Sequence, residues 1–382
     1  TFLLLIAVSH FNAGANAKAI IAGGNNIGLL LTPLVVFVVA RLGLRVSKAA
    51  AALTALGAVG FLIAAIFPVL PVFIAGGVLG LIASTMFIPL LTQIYQENYP
   101  VEKRGRLFTR AVMIRIATAA AFSFVAGRIL SLNLGRFQWL LLVFSIALCV
   151  SSYCLWRCPS RPLISDGHSH PFRGMRYVRE DALFRQTLLS WMLMGFANLM
   201  MVLLRVEYLA NPVYGEPFEP ATIALLVGVI PNCARLLMSP LWGRLFDQMN
   251  FFGMRFLLNI GFAIGALTFF AGRDFYSMAV GAVIFGISNA GGEVAWSLWV
   301  TKLAPPDRVA EYMSVHTFFT GLRGVVAPLA AFHMLTILSF QQLSFISASM
   351  IVLASLLLVP EILGGRTRKR AVEEVQKAEE VA

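Results

Sequence analysis

Four ionisable side chains interrupt otherwise apolar runs: Arg115 in AVMIRIATA, Arg235 in NCARLLMSPL, Glu293 in NAGGEVAW and Arg323 in FTGLRGVVAP. Asn25, Asn26 and Asn198 stand in similar surroundings. A guanidinium presents a planar fork of donors that grips a carboxylate or phosphate with paired hydrogen bonds. A lone carboxylate such as Glu293 can either neutralise an arginine or, if burial raises its pKa, carry a proton. Three arginines against one glutamate favour an anionic ligand. A second constellation lies in LMSPLWGRLFDQMNFFGMR (residues 237–255), where Gly243, Arg244, Asp247 and Arg255 follow an apolar run within a few turns. A carboxylate there can cap a helix start or meet basic neighbours. No phosphate-cradling Gly-x-x-x-x-Gly-Lys-Ser/Thr loop is present, which disfavours ATP-driven work by this chain alone.

Each of these groups also has a plainer reading. Arg235 and Glu293 can form a structural ion pair, Arg115 can snorkel to an interface, and Asp247 can simply solvate a helix end. Arg205 and Glu207 read as ordinary interfacial charges at the outer end of their helix. His168 and His170 lack a third ligand, and Cys149, Cys154, Cys158 and Cys233 have no nearby partners for a metal set. The sequence therefore assigns no metal and no cofactor.

The elements that must position these groups follow from composition. Of 382 residues, 59% are hydrophobic and 13% charged, and the mean hydropathy is +0.81. Apolar segments long enough to cross about 30 Å of hydrocarbon recur along the chain. Spans are expected at 19–41, 46–67, 71–95, 107–130, 137–156, 186–209, 221–246, 254–271, 276–301, 309–335 and 341–363, preceded by TFLLLIAV, read as the remnant of a further helix. The net charge of +12 would suggest nucleic acid in a soluble protein. Here, however, 22 of the 30 basic residues fall on one side when loops are assigned alternately, which marks that side, with the C-terminus, as cytoplasmic and excludes a nucleic-acid partner. At 1.5 Å per residue, Arg235 lies about 21 Å from the outer end of its helix, Glu293 about 14 Å from the inner end of its own, and Arg323 and Arg115 are similarly deep. Intramembrane charges usually face a cavity or a partner. The expected division is an N-terminal bundle 1–156, a basic linker 157–185, a C-terminal bundle 186–363 and a tail 364–382.

The two bundles are related. Residues 25–34 (NNIGLLLTPL) align without a gap on 232–241 (NCARLLMSPL) at an offset of 207, with five identities and one Thr/Ser exchange. YPVEKRG (99–105) resembles APPDRVA (304–310) at an offset of 205. Under this register Arg235 falls opposite Gly28, and Asp247 opposite Ala40.

Paired six-helix repeats with such loops resemble the major facilitator superfamily, along the whole chain apart from its start. The most specific element is the family's loop after the second helix of each half, Gly-x-x-x-Asp-Arg-x-Gly-Arg-Arg. The second copy keeps Gly243 and Asp247, with Arg244 between them, but has Gln248 at the first Arg. The first copy has Val36 and Ala40 at the Gly and Asp positions and keeps Arg41, Gly43 and Arg45. The resemblance implies an all-α membrane fold of two six-helix bundles, twelve helices with the first truncated here. It implies a cavity lined by the helices that carry Arg235, Glu293 and Arg323, and a conformational latch in which the loop Asp engages basic groups and a helix N-terminus. The function that follows is secondary transport of a small organic solute, anionic by its arginines and coupled to a proton or cation. The partners are that solute, the coupling ion and the bilayer, with the protein monomeric in a bacterial inner membrane. A multidrug or sugar efflux transporter, a membrane enzyme acting on lipid, and a non-transporting sensor or scaffold are the competing readings. The antiporter's Gly-rich, Gly-Pro run is missing from RIATAAAFSFVAGRIL, and no appended soluble domain marks a sensor.

Overall fold

The computed structural model describes every residue except 1, 2, 4, 5, 8, 9, 12, 14, 133, 164–169, 212–215, 217, 273 and 365–382. His168 and the tail from residue 365 lie outside the described residues. Among the described residues nine helices are long and apolar enough to span a membrane, or ten if the bent pair Gly23–Leu30 and Thr32–Arg41 is one span. The 29-residue helix Arg104–Leu132 carries Arg104, Arg106, Arg110 and Arg115 in its first twelve residues. This is an all-α membrane protein, with one isolated bridge, Arg45 with Pro162, among the described residues.

The helices are α1 (Ala15–Leu30), α2 (Thr32–Arg41), α3 (Val46–Ile66), α4 (Leu70–Met86), α5 (Ile88–Asn98), α6 (Arg104–Leu132), α7 (Phe137–Arg157), α8 (Ala182–Ala210), α9 (Ile230–Gln248), α10 (Phe251–Phe270), α11 (Phe275–Leu298), α12 (Val309–Leu335) and α13 (Phe340–Leu356). The expected span 19–41 is not continuous. It bends by 42° at Leu31, because Pro33 has no N–H to give the Leu29 carbonyl. The Thr32 hydroxyl donates to that carbonyl at 2.7 Å instead. The expected span 71–95 is one span, Leu70–Asn98, with a single turn residue at Phe87 ahead of Pro89. Local sequence sets several starts: the Asp181 carboxylate accepts from Leu183 and Phe184 N–H at α8, Asn250 caps α10, Asp274 caps α11, and Ser339 with Gln342 forms a capping box at α13.

The chain forms two compact units. Unit 1 comprises Thr1–Pro100, Ile114–Tyr177 and Ala304–Val325, and unit 2 comprises Val101–Met113, Val178–Leu303 and Val326–Ala382. They follow the two sequence halves except that 101–113 goes with the second and 304–325 with the first. In unit 1, α3 packs on α7 and α4, and α4 on α1. One apolar cluster gathers Phe61, Phe73, Phe137 and Leu141, and another gathers Val36, Val39, Leu90, Ile94 and Ala310. In unit 2, α11 packs on α9 and α10, and α13 on α8 and α10, around Phe269, Phe270, Phe340 and Leu343.

The α3–α4 contact depends on backbone approach. A Cβ on Gly76 would lie 2.3 Å from the Gly60 carbonyl oxygen and 2.9 Å from Ala64 Cβ. Gly76→Val is expected to cost about 1–3 kcal/mol through overpacking and to lower the melting temperature of the detergent-solubilised protein. An unchanged melting temperature would show that the helices do not meet there.

Candidate functional site

In unit 1, α1 and α2 run against residues 304–325 along a seam of small and hydroxylated residues. The Thr32 hydroxyl lies 2.8 Å from the Thr317 hydroxyl and 3.1 Å from the Ser314 carbonyl, and all three residues are buried. Two turns toward the start of α1, Asn26 Nδ2 donates to the Gly324 carbonyl at 3.4 Å. A Cβ on Gly324 would collide with Asn26 Oδ1 at 2.4 Å, and one on Gly321 would sit 2.9 Å from the Asn26 carbonyl oxygen. The glycines of GLRG thus let α12 close on α1, and they hold Arg323 between them on the same turn, half-buried. Asn25 is exposed, and its carbonyl accepts from the Thr85 hydroxyl at 3.1 Å. Arg115 lies on an exposed stretch of α6. The structure therefore sets Asn26 against the turn of α12 that carries Arg323.

Unit 2 holds Arg235, Glu293 and Asn198. The Arg235 guanidinium grips the Glu293 carboxylate, Nε donating to Oε2 at 3.0 Å and Nη2 to the same oxygen, with side chains 21% and 14% exposed. Asn198 is half-buried in α8. The expectation for Arg205 needs correction. It is not an interfacial charge: it is 2% exposed, and its guanidinium lies 3.8 Å from the Phe285 ring centre and 4.9 Å from that of Phe269. Its place on α8 turns it inward against aromatic faces of α10 and α11, which offer a cation their negative quadrupole. Glu207 instead holds its neighbour Asn211, which donates to it at 2.6 Å. Arg255 is also buried, stacked 3.4 Å over Trp191.

At the end of α9 the Asp247 carboxylate accepts from the backbone N–H of Gly105 at 2.6 Å and of Arg106 at 3.1 Å, and from Arg106 Nε at 3.3 Å. These are orphan donors in the first turn of α6, where the helix dipole also favours a negative charge. The approach requires Gly243, since a Cβ there would fall 2.3 Å from the Thr109 hydroxyl, and one on Gly105 would fall 2.5 Å from the Gly243 carbonyl oxygen. Lys302 lies 4.8 Å over the Phe246 ring. Burial pushes its ammonium below the ordinary lysine value, while the Asp247 carboxylate pulls the other way. Arg244, Arg41 and Arg45 are exposed and form no ion pair among the described residues.

Sequence reasoning did not single out Tyr177. In the linker its hydroxyl donates to Glu311 at 2.5 Å and accepts from Arg176 at 3.1 Å and Arg308 at 3.3 Å, and its ring stacks on Tyr312 at 4.2 Å. Burial first, then the bond to Glu311, holds that hydroxyl above the ordinary tyrosine value. His316, fully buried on α12, was likewise not singled out. Neither stands in a motif, and only the fold gives them neighbours. The linker's His170 accepts from Phe172 N–H at 3.2 Å.

Residues 208–380 match the family model described as the Major Facilitator Superfamily. No curated protein is significantly similar to the chain in sequence. Among solved structures, the fold is similar to that of the human organic anion transporter, at a TM-score of 0.71 and 14% identity, covering 93% of this chain and 88% of that one. It is also similar to the Escherichia coli fucose:proton symporter, at 0.70 and 15%, covering 93% of each chain. A bacterial homologue of the iron transporter ferroportin, solved in an outward-facing state, matches at 0.71 and 17%, covering 93% of this chain and 92% of that one.

The ion pair of unit 2 generates a direct test. Glu293→Gln strands the Arg235 charge and is expected to destabilise the protein by about 2 kcal/mol, less than for a fully dry pair because both ends retain some exposure. The double variant Arg235→Met/Glu293→Leu should recover most of that loss. Melting curves of the three proteins decide; equal stability of single and parent chains would remove the pair's structural role.

Proposed function

The chain has the Major Facilitator Superfamily fold, and from it we propose a secondary active transporter of a small organic anion, working by alternating access and coupled to an ion. The observation that carries the anionic reading is the commitment of Glu293 to Arg235. Of the deep charges singled out by sequence, three are arginines and one is a carboxylate, and that carboxylate is held by Arg235. A guanidinium supplies paired donors for a carboxylate or phosphate. Similarity in fold to a structure named as an organic anion transporter supports the same class. Asn26, against the turn of α12 that carries Arg323, and Asn25 and Asn198 supply neutral hydrogen-bonding groups that suit the rest of a polar solute.

Coupling is assigned to the Arg235–Glu293 pair. Protonation of Glu293 would discharge its hold on Arg235 and free a guanidinium for substrate, which ties proton binding to solute binding. An uncoupler is then expected to abolish accumulation of the solute in vesicles while sparing exchange across them; accumulation that survives would sink the proton as driver.

The Asp247 bonds to the first turn of α6 join the two sequence halves at the side that the basic loops mark as cytoplasmic. They can form only while those segments are together, so they bias the access equilibrium toward closure on that side. Together with Gly243, and with Arg244, Arg41 and Arg45 as the surrounding basic shell, Asp247 is the latch of this reading. The protein sits as a monomer in a bacterial inner membrane with its C-terminus inside.

Thermal-shift and uptake measurements against organic anions, neutral sugars and cationic drugs test the substrate class. Anions are expected to stabilise the protein, and Arg323→Ala to weaken their binding by about tenfold or more. Stabilisation by sugars alone would favour the reading suggested by the fucose:proton symporter fold. Stabilisation by cations alone would overturn the anionic class.

A further inference from the structure

The two repeats place the same backbone group in need of a partner. Gly105 is the second residue of α6 and Ala310 the second residue of α12, and the two correspond at the 205-residue offset of YPVEKRG and APPDRVA. Gly105 N–H is met by Asp247. The position corresponding to Asp247 is Ala40, which has no acceptor in its side chain and packs against the apolar cluster that contains Val36, Val39 and Ala310 itself. Ala310 N–H is nevertheless satisfied: Gln93 Oε1 accepts from it at 3.1 Å.

Gln93 belongs to α5, not to the loop after α2, and it is 3% exposed. Its amide is fully engaged. While Oε1 takes the Ala310 N–H, Nε2 donates to the Pro306 carbonyl at 2.9 Å and to Glu97 Oε1 at 3.1 Å. Glu97 in turn accepts from Arg161 N–H at 3.0 Å through Oε2. One neutral side chain thus ties the elbow before α12 and its first turn to α5 and, through Glu97, to the start of the linker. A carboxylate at this place could accept from Ala310 but could not donate to Pro306, and it would stand four residues from Glu97 on one helix face, a repulsive spacing.

We propose that Gln93 is the second closure contact of the transport cycle, the neutral stand-in for the acid that Ala40 lacks. This rests on the alternating-access reading above, in which residues 304–325 must part from the first-half helices for the cytoplasmic side to open. The two closures then differ in kind. The Asp247 contact is ionic, weakened by salt and by protonation, whereas the bonds of Gln93 to Pro306 and Ala310 join neutral groups and are indifferent to both. Loss of either shifts the same equilibrium, and only the Asp247 contribution responds to ionic strength.

The test reads conformation without needing a substrate. Val36→Cys, buried under the 304–325 segment in a chain otherwise stripped of cysteine, is labelled with a membrane-impermeant maleimide in detergent and in inside-out vesicles. Gln93→Met keeps the volume and removes all three hydrogen bonds, and is expected to speed labelling by about tenfold. High salt should speed labelling in the parent and in Gln93→Met, and should have no effect once Asp247→Asn is present. Parental labelling in Gln93→Met overturns the proposal. Equal acceleration at Ala282→Cys, buried in the core of unit 2, overturns it too, because the variant would then be loosening the fold at large. The transport reading fails separately: labelling that behaves as expected in a protein that moves no solute across vesicles leaves Gln93 a closure contact of a non-transporting protein.

Discussion

A backbone N–H or carbonyl without a partner is costly in hydrocarbon, and at the rim of a membrane bundle only the protein itself can meet it. Much of the described architecture answers that constraint. Pro33 frees the Leu29 carbonyl, and Thr32 takes it up, so the chain bends by 42° without losing a bond. The same hydroxyl also contacts Thr317 and the Ser314 carbonyl, so the repair of one helix becomes the seam with another. The first turns of α6 and α12 are capped by Asp247 and Gln93, residues far away in sequence. In each case a local debt of hydrogen bonding is settled by a tertiary contact.

The same economy explains why the repeat is unequal. Arg235 has Gly28 as its counterpart, and a side chain cannot stand there: a Cβ on Gly28 would fall 2.0 Å from the Thr85 hydroxyl and 2.6 Å from the Ile82 carbonyl oxygen. In the first half α1 closes directly on α4, whereas in the second half the corresponding position carries a guanidinium that reaches Glu293 on α11. Ala40 follows a similar logic, since it packs beside an apolar cluster in which a carboxylate would be desolvated. Close packing in one copy and charge in the other are two uses of one repeated pattern.

Much was legible in the sequence, and for identifiable reasons. Apolar run length fixes the number of spans, because hydrocarbon thickness sets a minimum number of residues, and the gapless match of NNIGLLLTPL with NCARLLMSPL reveals the repeat. Asp247 could be singled out because its loop keeps the spacing of Gly243 and the basic residues. Gln93, Tyr177 and His316 could not, since none stands in a pattern, and a glutamine in QIYQEN looks like any polar residue at a helix end. Arg205 was misplaced because distance along a helix gives depth but not direction. Its burial depends on Phe269 and Phe285 from two other helices.

By itself, then, the sequence determined a helical membrane protein, its repeat, its basic loops and the chemical types at depth, because hydropathy, periodicity and spacing are properties of the chain alone. Only the tertiary structure decided the pairings: that Glu293 neutralises Arg235, that Asn26 meets the Arg323 turn, and that Gln93 rather than residue 40 caps α12. The physical reason is range. A hydrogen bond or ion pair is made within about 3 Å, and which residues come that close across 58 to 298 positions is set by how helices pack.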